Sequence, residues 1–149
     1  YDWTLANEHI NKAAGLDLTY AEGRYNMAKG TILIPLGDYE NALNHLNEVG
    51  QRGWAKWRKG IVQLMSYNFD ETKKEMAALR KQFKESGWKE NGGIDYIHAI
   101  ISAREGDSNA VAENLKTALS KNEDGMLKER LVNDVEFLNY SDAVNAAMN

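Results

Sequence analysis

Three histidines, His9, His45 and His98, are the first candidates for chemistry, because neutral imidazole binds transition metals and titrates near neutrality. They fall on separate predicted helices, and no two stand in an HxxxH pair, so no metal site is predicted. Asp70 with Glu71, and Asp134 with Glu136, bring carboxylates together as acid–base work requires. Neither pair sits on a glycine-rich loop or beside a His or Ser in a recognised arrangement. Asn122, Asp124 and Gly125 resemble part of a calcium loop, but the last position, which must carry a carboxylate, holds Leu131. A polar connection capping the helix that starts near Gly125 is sufficient explanation. GxSxG, P-loop, dinucleotide and HExxH signatures are absent. With no cysteine, thiolate ligands, cysteine nucleophiles and disulfides are excluded. The expectation is a protein with no catalytic residues, no cofactor and no metal, and therefore not an enzyme.

The basic residues form two groups. Lys56, Arg58 and Lys59 lie close together with Arg52 nearby, and Lys73, Lys74, Arg80, Lys81 and Lys84 interleave with Glu71, Glu75 and Glu85. Both read as solvated helix faces with ion pairs a turn apart, ahead of an anion site. Across the chain, 18 Lys and Arg face 22 Asp and Glu, giving a net charge of −4 and no basic stripe, so no nucleic-acid partner is expected. Hydrophobic content of 43% with 27% charged residues suits a globular chain. No apolar run approaches the ~18 residues of a membrane span. The chain opens at Tyr1 and carries no signal peptide, which reads as a mature or trimmed fragment.

The elements that would position these residues are helices in a repeating arrangement. A small residue (Gly30, Gly60, Ala99) precedes a turn residue (Gly37, Tyr67, Gly106) by the same seven positions each time. Five positions later stands Ala42, Thr72 or Val111, and four beyond that a large apolar residue, Leu46, Met76 or Leu115. Such a unit is a helix, a tight turn and a second helix. Gly37 and Gly106 fit the left-handed position that ends a helix, and Asp38 and Asp107 fit the cap of the next. The small residues let two helices approach closely. Helices are predicted over 2–14, 19–36, 38–49, 53–67, 69–86, 91–105 and 107–121, with a C-terminal segment 125–147 broken near 139–142. Residues 86–93 make the longest break and are the candidate hinge. Leu127, Leu131, Phe137, Leu138 and Tyr140 would cap the end of the array.

The run Gly30…Gly37-Asp38-Tyr39-Glu40-Asn41-Ala42…Leu46 resembles the tetratricopeptide repeat. The second copy, Gly60…Asn68-Phe69-Asp70-Glu71-Thr72, keeps the aromatic and lacks the turn glycine, and the third keeps Gly106-Asp107 with Ser108 in place of the aromatic. The segments 95–106, 113–119 and 127–140 look like the closing repeat of exported, envelope-associated tetratricopeptide proteins of the Bacteroidetes type. The resemblance implies an all-α solenoid of about three helix-turn-helix repeats with a capping C-terminal segment. It implies one domain: a half repeat over 1–18, repeats at about 19–50, 51–87 and 88–122, and a cap over 123–149. It also implies a periplasmic or outer-membrane-associated location in a bacterial envelope. Where the family carries further large apolar residues in the first helices, this chain has Asn26 and Lys29, Lys56 and Lys59, and Asp95 and His98. Those helices are therefore rotated about their axes, or the register is shifted by one.

In the family's usual register the first helices line a concave surface that binds partner peptides. The stripe here runs through Met27, Thr31 and Ile34, then Trp57, Ile61 and Leu64 with Trp54 a turn earlier, then Tyr96, Ile100 and Ala103 with Arg104 following. Trp and Tyr anchors in such a groove would capture a peptide or protein segment. The general rule that periodic apolar positions face the core favours core for the same positions, and a third option is that the C-terminal segment covers them. The function expected is a non-enzymatic protein-interaction module whose partner is a protein or peptide. The alternative is a spacer or assembly scaffold within a larger envelope protein, without a groove of its own.

Overall fold

The computed structural model describes residues 2–15, 22–50 and 52–149, and every regular element among them is helical. In order these are α1 (Trp3–Ala14), α2 (Glu22–Leu33), α3 (Tyr39–Glu48), α4 (Gly53–Met65), α5 (Phe69–Ser86), α6 (Gly93–Glu105), α7 (Ser108–Ser120), α8 (Met126–Asn133), a 3-10 turn (Val135–Phe137) and α9 (Ser141–Met148). The chain divides into two compact units, Tyr1–Leu79 and Arg80–Asn149, with the division inside α5 and ahead of the 86–93 break. None of the described helices is long and apolar enough to cross a membrane.

Local chemistry sets the helix ends. Asp2, Asp38 and Asp107 each accept a hydrogen bond from the backbone amide three residues on, so each stands outside the helix as its cap. That is why α3 and α7 start one residue later than the sequence pattern suggests. α2 stops at Leu33, short of residue 36, because Pro35 disfavours helical backbone at the residue before it. The three turn residues all adopt left-handed backbone, with φ of 76° at Gly37, 59° at Tyr67 and 82° at Gly106. Each is followed by an amide bonded back to the closing helix: Asp38 to Leu33 at 3.1 Å, Asn68 to Gln63 at 2.8 Å, Asp107 to Ser102 at 2.9 Å. The middle turn thus keeps its geometry without the glycine.

In the first unit α1 packs on α2, α2 on α3 and α3 on α4. Leu33, Ala42, Leu46 and Val62 form the core cluster, flanked by Met27, Ile34, Tyr39 and Leu43. Gly30 sits so close to α3 that a Cβ there would lie 2.7 Å from Leu46 Cγ. The polar residues on the first helices are buried yet satisfied. Lys29 donates to Asn7 and Asn11 at 2.5 Å each, Asn26 meets His45 Nδ1 at 2.8 Å, and Lys59 lies 3.8 Å from Glu75. Burial, reinforced by the Lys29 ammonium, holds His45 below its usual pKa, and its Nδ1 lies 2.8 Å from the Asn26 side-chain oxygen.

In the second unit α6 packs on α7 and on the 3-10 turn, and α7 on α8 and α9. α6 buries residues on all sides, from Ile94 through Ala103, which is the signature of a helix covered all round. The C-terminal segment provides that cover. It breaks at Asp134, whose backbone is extended, and α9 starts only at Ser141. Leu131 and Phe137 are buried, and Tyr140 donates to the Ala103 carbonyl at 2.6 Å, but Leu138 stays 76% exposed and caps nothing. Asp95, 5% exposed, accepts from Arg80 and Lys121 at 2.6 Å each, and Glu90 ties to the same two cations. Burial would raise the Asp95 carboxyl, but the hydrogen bonds from Lys121 and Arg80 outweigh it and hold the pKa low.

Candidate functional site

A cleft of about 460 Å³ opens between α2 and the start of α4 in the first unit. From α2 it takes Gly23, Arg24, Met27, Ala28, Thr31 and Ile32. These recur three and four residues apart, so they share one helix face. A local bond helps keep the wall apolar: the Thr31 hydroxyl donates to the Met27 carbonyl at 2.7 Å, so its polar group is spent within the helix. From the facing segment come Arg52, Trp54 and Arg58. Trp54 is 69% exposed, a large apolar area to leave in water.

Arg58 stands one helical turn from Trp54, and its guanidinium carbon lies 5.9 Å from the ring centroid. Its Nη1 reaches the Trp54 carbonyl at 3.5 Å, while its Nε is shielded from solvent and has no hydrogen-bond partner among the described residues. Burial lowers its pKa, and no carboxylate among the described residues acts to raise it again. The first turn of α4 adds to this. Arg52, at the cap position, makes no side-chain cap, and the turn contains no acidic residue. The positive end of the α4 dipole therefore lies at Arg52, a residue that lines the cleft, with no acidic side chain in that turn to offset it.

The residues expected from sequence to bind a partner are dispersed. Met27 and Trp54 line the cleft. Ile34 packs on the core cluster, Trp57 and Ile61 are half-buried, and Leu64 is buried. In the second unit Tyr96 and Ile100 are buried at 1% and 3% exposure, and Arg104 pairs with Glu136, Nε to Oε2 at 3.0 Å. Sequence reasoning missed Arg24 and Ile32, which carry no local signal. It placed Arg52 and Arg58 on a solvated face with Lys56 and Lys59, yet Lys59 is buried beside Glu75 and the two arginines line the cleft. On α5, Lys74 with Glu71 and Lys81 with Glu85 do form exposed pairs, but Arg80 leaves that face to pair with Asp95 and Glu90. Among the described residues no three His, Asp or Glu side chains gather as metal ligands. No family model, curated protein or solved structure matches the chain.

Proposed function

We propose that this chain is a non-enzymatic binding module that holds a peptide or protein segment in the α2–α4 cleft. The observation that carries this reading is Trp54, largely exposed beside Arg58, whose buried Nε has no partner among the described residues. Exposed Trp and Arg next to an apolar wall are the residue types that dominate binding energy at protein interfaces. The three like turns at Gly37, Tyr67 and Gly106 support a tetratricopeptide-like solenoid of about three hairpins as the architecture. In that architecture the cleft would belong to the concave face. Residence in a bacterial envelope rests on resemblance alone and belongs to the same proposal. A random-peptide display selection on the whole chain, repeated on Trp54→Ala, tests the reading. Sequences enriched on the native chain should be lost on the variant. Enrichment indifferent to Trp54, or none at all, would overturn it.

A specific observation favours a second reading. Tyr96 and Arg104 are engaged by the C-terminal segment and Ile100 is buried, so the part of the stripe in the second unit serves packing. A chain whose first-helix residues are all engaged this way would act as a spacer or assembly scaffold. That reading predicts a selection with no Trp54-dependent peptides.

A further inference from the structure

We infer that the segment held in the α2–α4 cleft is acidic, with a carboxylate side chain seated on Arg58 and an adjacent aliphatic side chain on Met27 and Ile32. This rests on the binding-module reading above and adds the chemistry of the partner. Three arginines, Arg24, Arg52 and Arg58, surround an apolar wall, and no carboxylate among the described residues pairs with Arg58. The chain as a whole carries a net charge of −4, so three cations around one small cleft are a local reversal of sign. Elsewhere the buried or part-buried cations are answered: Lys29 by the Asn7 and Asn11 carbonyl oxygens, Lys59 by Glu75, Arg80 by Asp95 and Glu90, and Arg104 by Glu136. The Arg58 guanidinium has no carboxylate beside it among the described residues, and an incoming carboxylate would give its outer nitrogens charge-assisted hydrogen bonds. The uncapped, acid-free first turn of α4 favours the same charge. A cationic partner would meet arginine on arginine, and a purely apolar one would leave the Arg58 guanidinium without a counter-charge.

Fluorescence anisotropy with defined peptides tests this on the full chain. The probes are a labelled peptide alternating Glu and Leu, its Gln/Leu isostere and a Lys/Leu counterpart. The Glu/Leu peptide should bind, and the Gln/Leu isostere should bind at least about tenfold more weakly, the loss of one charge-assisted contact. Arg58→Gln and the more exposed Arg24→Gln should each cost several-fold and flatten the salt dependence, while Lys116→Gln on α7 should change nothing. Because Arg24 is exposed, its variant keeps the test valid even if Arg58→Gln unfolds the unit. Equal binding of the Glu and Gln peptides, with both sensitive to Trp54→Ala, would overturn the acidic inference and leave the binding module standing. Binding by none of the three would overturn the acidic inference, and if the display selection also yields no Trp54-dependent peptide, the module reading falls with it. Octanoate bound more tightly than any peptide would make the cleft a small-anion site and overturn the inference.

Discussion

The Tyr96 hydroxyl donates to the Asp134 carboxylate across 2.8 Å, joining the first turn of α6 to the break after α8. The same ring meets Phe137 edge to face at 5.6 Å and carries the Arg130 guanidinium at 5.1 Å. Burial and the Asp134 charge raise the phenol's pKa far above its ordinary value, so it remains a donor at any physiological pH. Tyr96→Phe should keep the ring contacts and cost about 1–2 kcal/mol, because a partly buried carboxylate loses a donor. Tyr96→Ala should cost about 3–5 kcal/mol through the cavity it leaves. Urea denaturation of the two variants measures both, and equal losses would show that the hydroxyl is immaterial.

Asp95 makes stability depend on acid. Its folded pKa is held below the unfolded value near ~3.9. Its contribution is therefore complete above that value and is lost as pH falls through the folded pKa. Asp95→Asn should cost about 2 kcal/mol at pH 7, tempered by the partial exposure of Arg80 and Lys121, and should flatten the fall in stability below pH ~4. Denaturation midpoints measured from neutral to strongly acidic pH would show whether the two curves converge as expected.

Glycine replacements should rank by what the new Cβ meets. At Gly92 it would lie 2.1 Å from the Ala118 carbonyl oxygen, on backbone at φ 84°, so Gly92→Ala should cost at least ~3 kcal/mol. Gly30→Ala presses on Leu46 and should cost about 2 kcal/mol. Gly60→Ala clashes only with the far end of the flexible, though buried, Met76 side chain, and alanine's helix preference of about 1 kcal/mol should offset part of the strain. Thermal melts of the three variants would check the order.

Tyr67 holds left-handed backbone that costs a residue with a Cβ about 1–2 kcal/mol. Tyr67→Gly should stabilise the chain by about 0.5–1 kcal/mol, after the greater unfolded freedom of glycine and the loss of the ring contact with Phe69 are counted. A lowered melting temperature would show that the ring contact outweighs the strain.

The turn at Tyr67 shows what was legible in the sequence. The constant offsets put a turn there although the glycine was missing, because turn position follows from helix length and spacing, which a linear pattern records. The caps at Asp38 and Asp107 were legible for the same reason. The break expected near 139–142 matches the start of α9 at Ser141, but its opening at Asp134 was not legible, since that depends on where Asp134 meets Tyr96, a tertiary contact. The cleft was half legible. Met27 and Trp54 stand out by type, but Arg24, Arg52 and Arg58 come together only through helix packing. Tyr96 and Ile100 looked like groove anchors because periodicity marks a buried face without saying whether chain or partner covers it.

The most direct test of a partner site between α2 and α4 is amide chemical-shift mapping of the labelled chain titrated with a display-selected peptide. The account predicts the largest perturbations at residues 23–32 and 53–58, with the Arg58 side-chain Nε–H resonance among the strongest movers. Perturbations concentrated on α8 and α9 instead, with α2 and α4 unmoved, would contradict it.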